Sequence, residues 1–238
     1  MVLRSFNIDN EAIRSSQTSN DGDSTFIWFK GGNIVSIVDT STLECQDVDL
    51  IASKAQFTSD QSLPISVTIN KAKTKMAVLS IVEDQNLYLN FWEKGQPIVN
   101  IPLATCCPKV VASMSIELSL DEQTLFVSGC DKMDINEGRP IIAALTFDHK
   151  LKQKFCLQLT DPKMRNVFKL KRLPGCQEDI LLVSGFHSIS LVSYNSKTGA
   201  LQELKTLGGL HDGEIFDFAV YENVIYSISG KDTYIHKY

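Results

Sequence analysis

The sequence lacks the long apolar runs and the positive charge that would assign it to a membrane or to a phosphate backbone. No apolar run approaches the roughly 20 residues of a membrane-spanning helix. The net charge of −5 contrasts with the basic excess of general nucleic-acid binders. Residues 1–14 contain no apolar stretch of signal-peptide length and include Asp9 and Glu11. We therefore expect a cytoplasmic or nuclear protein that is not secreted and does not insert into a membrane.

Motifs of metal binding and catalysis are also missing. The six cysteines form no Cys-x-x-Cys pair, and no histidine lies near them at zinc-ligand spacing, so neither a metal nor another cofactor is predicted. Reduced, buried thiols are the expected state of these cysteines. The motifs of serine hydrolases, P-loops, zincins and dinucleotide-binding folds do not occur. We expect no catalytic residue and a protein that is not an enzyme.

Helical periodicity is scarce, and short β-branched or aromatic runs take its place. They are bounded by Gly, Asn, Asp or Ser, which is typical of strands joined by tight turns. The runs fall into five groups, whose second strands are centred near residues 27, 78, 126, 182 and 226. This spacing is close to the period of a four-stranded propeller blade. The pattern predicts an all-β chain of repeated antiparallel meanders, and by itself it does not specify which kind.

The last of these groups carries a recognisable motif. Leu210-His211 is followed by Asp212-Gly213, by the strand EIFDFAV and by the turn Ser229-Gly230-Lys231-Asp232, and Tyr238 lies six residues beyond Asp232. Residues 210–238 resemble one WD40 repeat, with Leu210 in place of the usual glycine and Tyr238 in place of the usual tryptophan. Upstream groups keep only fragments of this pattern. The resemblance implies a single β-propeller domain of four-stranded antiparallel blades over residues 1–238. The five groups of runs give about five blades, although seven is the commoner number in this family.

In the WD40 family a buried hydrogen-bond chain links the strands of a blade to its turns. The resemblance assigns this structural role to His211, Ser229, Asp232 and Tyr238. A tyrosine hydroxyl can donate where tryptophan offers an N–H. Such a chain is tolerated in a core when each polar member has a partner, and it then determines the strand register.

The two ends of the chain suggest how the ring closes. The final group lacks a fourth strand, and strand-like segments lie at residues 2–8 and 12–17. We expect residues 2–8 to pair beside residues 233–238, which would remove an open sheet edge. Two alternatives are that the chain is part of a longer propeller and that a partner chain supplies missing blades.

Turns between second and third strands lie on the partner-binding face of WD40-like propellers. Carried over, this places six residues on a partner-binding rim: Asp131, Met133, Arg139, Phe186, His187 and Lys231. Aromatic residues, Met and Arg are enriched in interface cores. We therefore expect a non-enzymatic scaffold or adaptor that binds other proteins, as a subunit of a multiprotein complex.

One segment is strongly basic. Between residues 149 and 172 lie Lys150, Lys152, Lys154, Lys163, Arg165, Lys169, Lys171 and Arg172. This basic band would suit an acidic peptide or nucleic acid, or its side chains simply alternate towards water. A nucleic-acid-binding subunit and a metal-dependent propeller hydrolase or lactonase are the alternative functions.

Overall fold

The computed structural model describes residues 13–18, 24–29, 34–39, 42, 44–50, 63–82, 86–134, 137–161, 164–222, 224–231 and 235–237. Within these residues the chain forms five antiparallel sheets and one helix of four residues, α1 (Leu103–Cys106). None of the described helices is long and apolar enough to cross a membrane.

Each sheet is a meander in which every strand pairs with the next one along the chain. The first sheet comprises β1 (Ile13–Thr18), β2 (Ser24–Phe29), β3 (Ile34–Asp39) and β4 (Cys45–Asp49). The second comprises β5 (Leu63–Ile69), β6 (Lys75–Val82), β7 (Asn86–Glu93) and β8 (Val99–Pro102). The third comprises β9 (Ala112–Leu118), β10 (Thr124–Cys130), β11 (Pro140–Thr146) and β12 (Gln153–Gln158). The fourth comprises β13 (Lys169–Arg172), β14 (Asp179–Ser184), β15 (Ser188–Asn195) and β16 (Ala200–Gly208). The fifth comprises β17 (Ile215–Tyr221), β18 (Val224–Ser229) and β19 (His236–Lys237).

Alternate side chains of a central strand enter two different cores. In β10, Leu125 and Val127 belong to the core shared with the second sheet, whereas Phe126 belongs to the core shared with the fourth sheet. This follows from the two-residue period of a strand. All seven residues of β10 are buried, which explains why residues 125–127 at its centre are consecutive apolar residues instead of an alternating pattern.

The sheets are arranged in sequence around a common axis. A separate apolar cluster fills each of the four spaces between consecutive sheets. The first strands also contact one another in order, from β1 to β5, β9, β13 and β17. Sheets related in this way bury each other's faces, as in a propeller.

The sheets confirm the prediction of an all-β chain of repeated antiparallel meanders. The five groups of runs correspond to five sheets, and the segment at residues 12–17 becomes β1 of the first sheet. Residues 2–8, 233, 234 and 238 lie outside the described residues, so the expected closing pair stays a prediction.

Burial of cysteine also follows expectation at three positions. Cys106, Cys107 and Cys130 are buried, whereas Cys45 is exposed on β4. Burial raises the pKa of the Cys130 thiol, which favours its neutral, unreactive form.

Substitution of Phe126 by alanine tests the packing between the third and fourth sheets. The ring of Phe126 is fully buried and meets the Tyr194 ring edge to face, with 4.9 Å between centroids. We expect Phe126→Ala to lower the free energy of unfolding by about 3–5 kcal/mol. The matched change Phe155→Ala, on the outer strand β12, should cost only about 1–2 kcal/mol because that ring is 37% exposed. Urea denaturation of both variants measures the difference, and equal losses would contradict this packing.

Candidate partner-binding face

The turns between second and third strands and the connections between sheets meet at one end of the molecule. The Arg165 carbonyl accepts a hydrogen bond from Phe186 N, and the Gly213 carbonyl accepts one from His187 N. Each bond joins a connection to a turn of the fourth sheet. We call this surface the turn face, and it comprises residues 131–134, 137–139, 164–168, 185–187, 209–214 and 230–231.

Three phenylalanine rings gather on the turn face. Phe168 lies between Phe186 and Phe216, with centroid distances of 5.7 and 5.3 Å and steep interplanar angles of 63° and 87°. Phe216 is 50% exposed, and the other two rings are half-buried. A Cβ at Gly230 would collide with the Phe216 ring, so the glycine permits the turn to approach it. We call these rings the phenylalanine cluster.

The cluster combines a predicted rim residue with two others. Phe186 was expected on the rim, and His187 lies beside it with 5.9 Å between ring centroids. Phe168 and Phe216 did not emerge from the sequence, since both lie within apolar strand-like runs. Phe168 lies just before β13 and Phe216 lies near the start of β17. Such positions point to the turn face only when the strand boundaries of each sheet are known.

Three more predicted rim residues, Asp131, Met133 and Arg139, lie in the turn between β10 and β11 of the third sheet. Asp131 holds this turn closed, because its Oδ1 accepts a hydrogen bond from Arg139 N at 2.7 Å. Its Oδ2 accepts another from Gln158 Nε2 at 3.3 Å. The side chains of Met133 and Arg139 are exposed. The Asp131 side chain therefore stabilises the turn. The Met133 and Arg139 side chains are accessible to a partner.

Cations border the phenylalanine cluster. Arg165 lies on the connection that contacts Phe186, and Lys231 lies on the turn whose Gly230 packs against Phe216. Both residues are exposed. Among the described residues, no carboxylate lies within ion-pair distance of either side chain.

The buried histidine ties the last connection to the fifth sheet. His211 is 4% exposed, and its Nε2 lies 2.7 Å from Ser227 Oγ. The expected partner was Ser229, whose Oγ instead accepts a hydrogen bond from Lys231 N at 3.3 Å. Asp232 and Tyr238, the other members expected in this chain, lie outside the described residues.

Two further histidines border the same connection. The Nδ1 atom of His187 lies 2.7 Å from the His211 carbonyl oxygen, and the His236 ring contacts the His211 ring at a centroid distance of 4.2 Å. The connection is thus attached to the fourth sheet through His187 and to the fifth through His211. These contacts hold the connection against both sheets.

The predicted basic band is divided between two distant strands. Lys154 lies on β12, the outermost strand of the third sheet, whereas Lys169, Lys171 and Arg172 lie on β13, the innermost strand of the fourth. Lys150, Lys152 and Arg165 are exposed in turns and connections, and Lys163 lies outside the described residues. The sheet order separates residues that are close in sequence, and the cations do not form one continuous surface.

The inner-strand lysines have acidic neighbours. Asp217 Oδ1 lies 3.9 Å from Lys169 Nζ and 3.5 Å from Lys171 Nζ. Burial lowers the pKa of Lys169, and the Asp217 carboxylate opposes this shift. Arg172 Nε lies 4.0 Å from Asp179 Oδ1. The Asp217 contacts connect the fourth and fifth sheets, and the Asp179 contact lies within the fourth sheet. Both favour a structural role for this part of the band.

The described residues include no group of three His, Cys, Asp or Glu side chains that could hold a metal ion.

Comparison with known proteins identifies the fold. No protein-family model matches the sequence, and no curated protein matches it either. The propeller domain of Vanderwaltozyma polyspora Nup133 superposes with a TM-score of 0.53 at 14% identity, over 97% of this chain and 72% of that one. The fold is a β-propeller.

Two other solved chains share this fold. A chain of the mitotic checkpoint complex matches with a TM-score of 0.58 at 13% identity, over 94% of this chain and 73% of that one. Kuenenia stuttgartiensis hydrazine synthase matches with a TM-score of 0.58 at 10% identity, over 90% of this chain and 61% of that one. The propeller therefore spans about three fifths of the hydrazine synthase chain. At these identities the likeness concerns the fold alone.

Two serine substitutions test the partner of His211. In Ser227→Ala the buried His211 Nε2 loses the hydroxyl that contacts it, and we expect unfolding to become easier by about 1–3 kcal/mol. Ser229→Ala removes only an exposed turn contact and should change stability by about 0.5 kcal/mol or less. Thermal and urea denaturation compare the two. A larger loss in Ser229→Ala would restore the serine assignment made from the sequence.

Proposed function

We propose that this chain is a non-enzymatic, WD40-like propeller scaffold that binds a protein partner through its turn face. The observation that carries the proposal is the phenylalanine cluster, in which an inner-strand ring stays 50% exposed at Phe216. A large aromatic side chain left open to water on a well-packed surface is typical of an interface anchor. Arg165 and Lys231 supply a polar border around it.

Rigidity of the turn face supports this role. Backbone hydrogen bonds attach the connections to the turns, as at Asn166 N to the Gly138 carbonyl and Leu210 N to the His187 carbonyl. A surface held in this way loses little conformational entropy when a partner binds. A larger part of the favourable contact free energy then contributes to the binding free energy.

The WD40-like character is supported by the contact between His211 and Ser227. It joins a connection to a strand through buried side chains, as in the hydrogen-bond chain of that family, although the serine is Ser227 and not the Ser229 that the resemblance assigns. The fold is compatible with enzymes as well as scaffolds, since one of the matching chains is hydrazine synthase. The placement in a multiprotein complex draws on another match, to a chain of the mitotic checkpoint complex.

Replacement of Phe186 and Phe216 tests the turn face. Full-length protein would be used to capture partners quantitatively from a lysate of the source organism. A captured protein would then be purified and its affinity measured. We expect Phe186→Ala and Phe216→Ala each to weaken binding at least about tenfold, equivalent to about 1.4 kcal/mol, because an aromatic anchor is removed.

The control is Phe155→Ala, which removes an exposed ring on β12, away from the turn face. Its affinity should equal that of the wild type. All variants should first show native stability. Unchanged affinity in both turn-face variants would overturn the proposed binding surface.

A further inference from the structure

A cavity of about 570 Å³ lies between the third and fourth sheets, at the end opposite the turn face. Its walls come from the turn between β9 and β10, the turn between β13 and β14, and the hairpin that joins β15 to β16. The turn face contains the intervening turns, and the two surfaces share no residue. The volume of the cavity is within the usual range of ligand sites.

The lining of this cavity is acidic and rich in hydrogen-bond acceptors. It carries three carboxylates, Asp121, Glu178 and Asp179, and one cation, Lys197. Other lining side chains also offer an oxygen that can accept a hydrogen bond, namely those of Gln177, Ser193, Tyr194, Ser196, Thr198 and Gln202. A cation with several N–H donors complements such a lining.

One of the three carboxylates is buried and only partly hydrogen-bonded. Asp179 is 5% exposed. Its Oδ1 accepts a hydrogen bond from Leu120 N at 2.7 Å and lies 4.0 Å from Arg172 Nε. Its Oδ2 makes no hydrogen bond to the part of the chain that the structure describes. Burial of a charge is costly unless hydrogen-bond partners surround it, so Oδ2 indicates the place of a further donor.

The electrostatics around Asp179 favour a cation inside the cavity. Burial raises the pKa of the Asp179 carboxyl, and the neighbouring Asp121 carboxylate adds to this shift. The Leu120 N–H and the Arg172 side chain oppose it. Arg172 does not line the cavity. A cation in the cavity would therefore stabilise the charges of both carboxylates from the side that Arg172 does not reach.

The walls of the cavity are held in place by contacts between the two sheets. One is the hydrogen bond from Leu120 N to Asp179. The other joins the hydroxyls of Tyr194 and Thr124, whose oxygens lie 3.0 Å apart. A cavity formed in this way needs little rearrangement when it takes up a ligand.

We propose that this cavity binds a guanidinium group, supplied by an arginine side chain of a bound peptide. A guanidinium presents five donors in one plane and is more weakly hydrated than an ammonium, which suits a partly buried site lined by acceptors. Asp179 Oδ2 is the anchoring acceptor, and Asp121 and Glu178 add negative charge at the rim of the cavity. The described residues include no group of three such side chains that could hold a metal ion, which favours an extended organic cation. The inference goes beyond the proposed scaffold function, since it uses no residue of the turn face.

Titration of the full chain with small peptides tests the proposal. The probe is the blocked tripeptide N-acetyl-Gly-Arg-Gly-amide. Its matched control carries citrulline in place of arginine and has the same shape without the charge. NMR spectra of the backbone amides would follow the signal of Leu120, whose N–H donates to Asp179. We expect a saturable shift of this signal with the arginine peptide and none with the citrulline peptide.

Two substitutions test the assigned residues. Asp179→Asn keeps an acceptor for Leu120 N and removes the negative charge, and it should weaken binding of the arginine peptide at least about tenfold. Glu178→Gln changes an exposed side chain, should not disturb the fold, and should weaken binding about two- to threefold. Glu44→Gln, at an exposed position beside β4, is the matched control and should bind as the wild type does.

Several results would overturn the proposal. Equal binding of the arginine and citrulline peptides would show that charge is not recognised. Tighter binding of the corresponding lysine peptide would contradict the guanidinium assignment. Absence of a saturable shift at Leu120, or unchanged affinity in both Asp179→Asn and Glu178→Gln, would show that the cavity is not the binding site. Partner binding at the turn face is measured separately through Phe186 and Phe216, so failure of one proposal leaves the other intact.

Discussion

Mutual burial of neighbouring sheets is the constraint on which this structure depends. A four-stranded meander has two apolar faces and cannot bury either of them alone. The third sheet satisfies both by sending Leu125 and Val127 towards one neighbour and Phe126 towards the other. The free energy of apolar burial is therefore distributed over the spaces between sheets, and the hydrogen-bonded pairs within a sheet mainly set its register.

The same constraint explains how much of the fold could be predicted from the sequence. Central strands buried on both faces carry consecutive apolar residues, so runs such as residues 125–127 stand out and reveal the blade period. The contacts of the candidate site were harder to predict. Ser227 and Ser229 lie two residues apart on one face of β18, so the sequence pattern alone does not distinguish which of them contacts His211. Their different partners arise from the path of the connection that carries His211. Likewise, the charge pattern could not show that Lys154 lies on the outermost strand of one sheet and Lys169 on the innermost strand of the next.

The proposed function depends on surfaces that the stacking leaves uncovered. The turn face exists because successive connections return to the same end of the sheets, where Phe168, Phe186 and Phe216 meet. On the fifth sheet, Tyr221 and Ile228 also remain exposed.

Amide hydrogen exchange of the purified chain tests the role of mutual burial most directly. Protection follows the free energy of local opening, which rises with the burial around a strand. The account predicts that β10, in which every residue is buried, exchanges at least about tenfold more slowly than β18, in which only Ser227 is buried. Equal exchange in the two strands, or rapid exchange throughout β10, would contradict it.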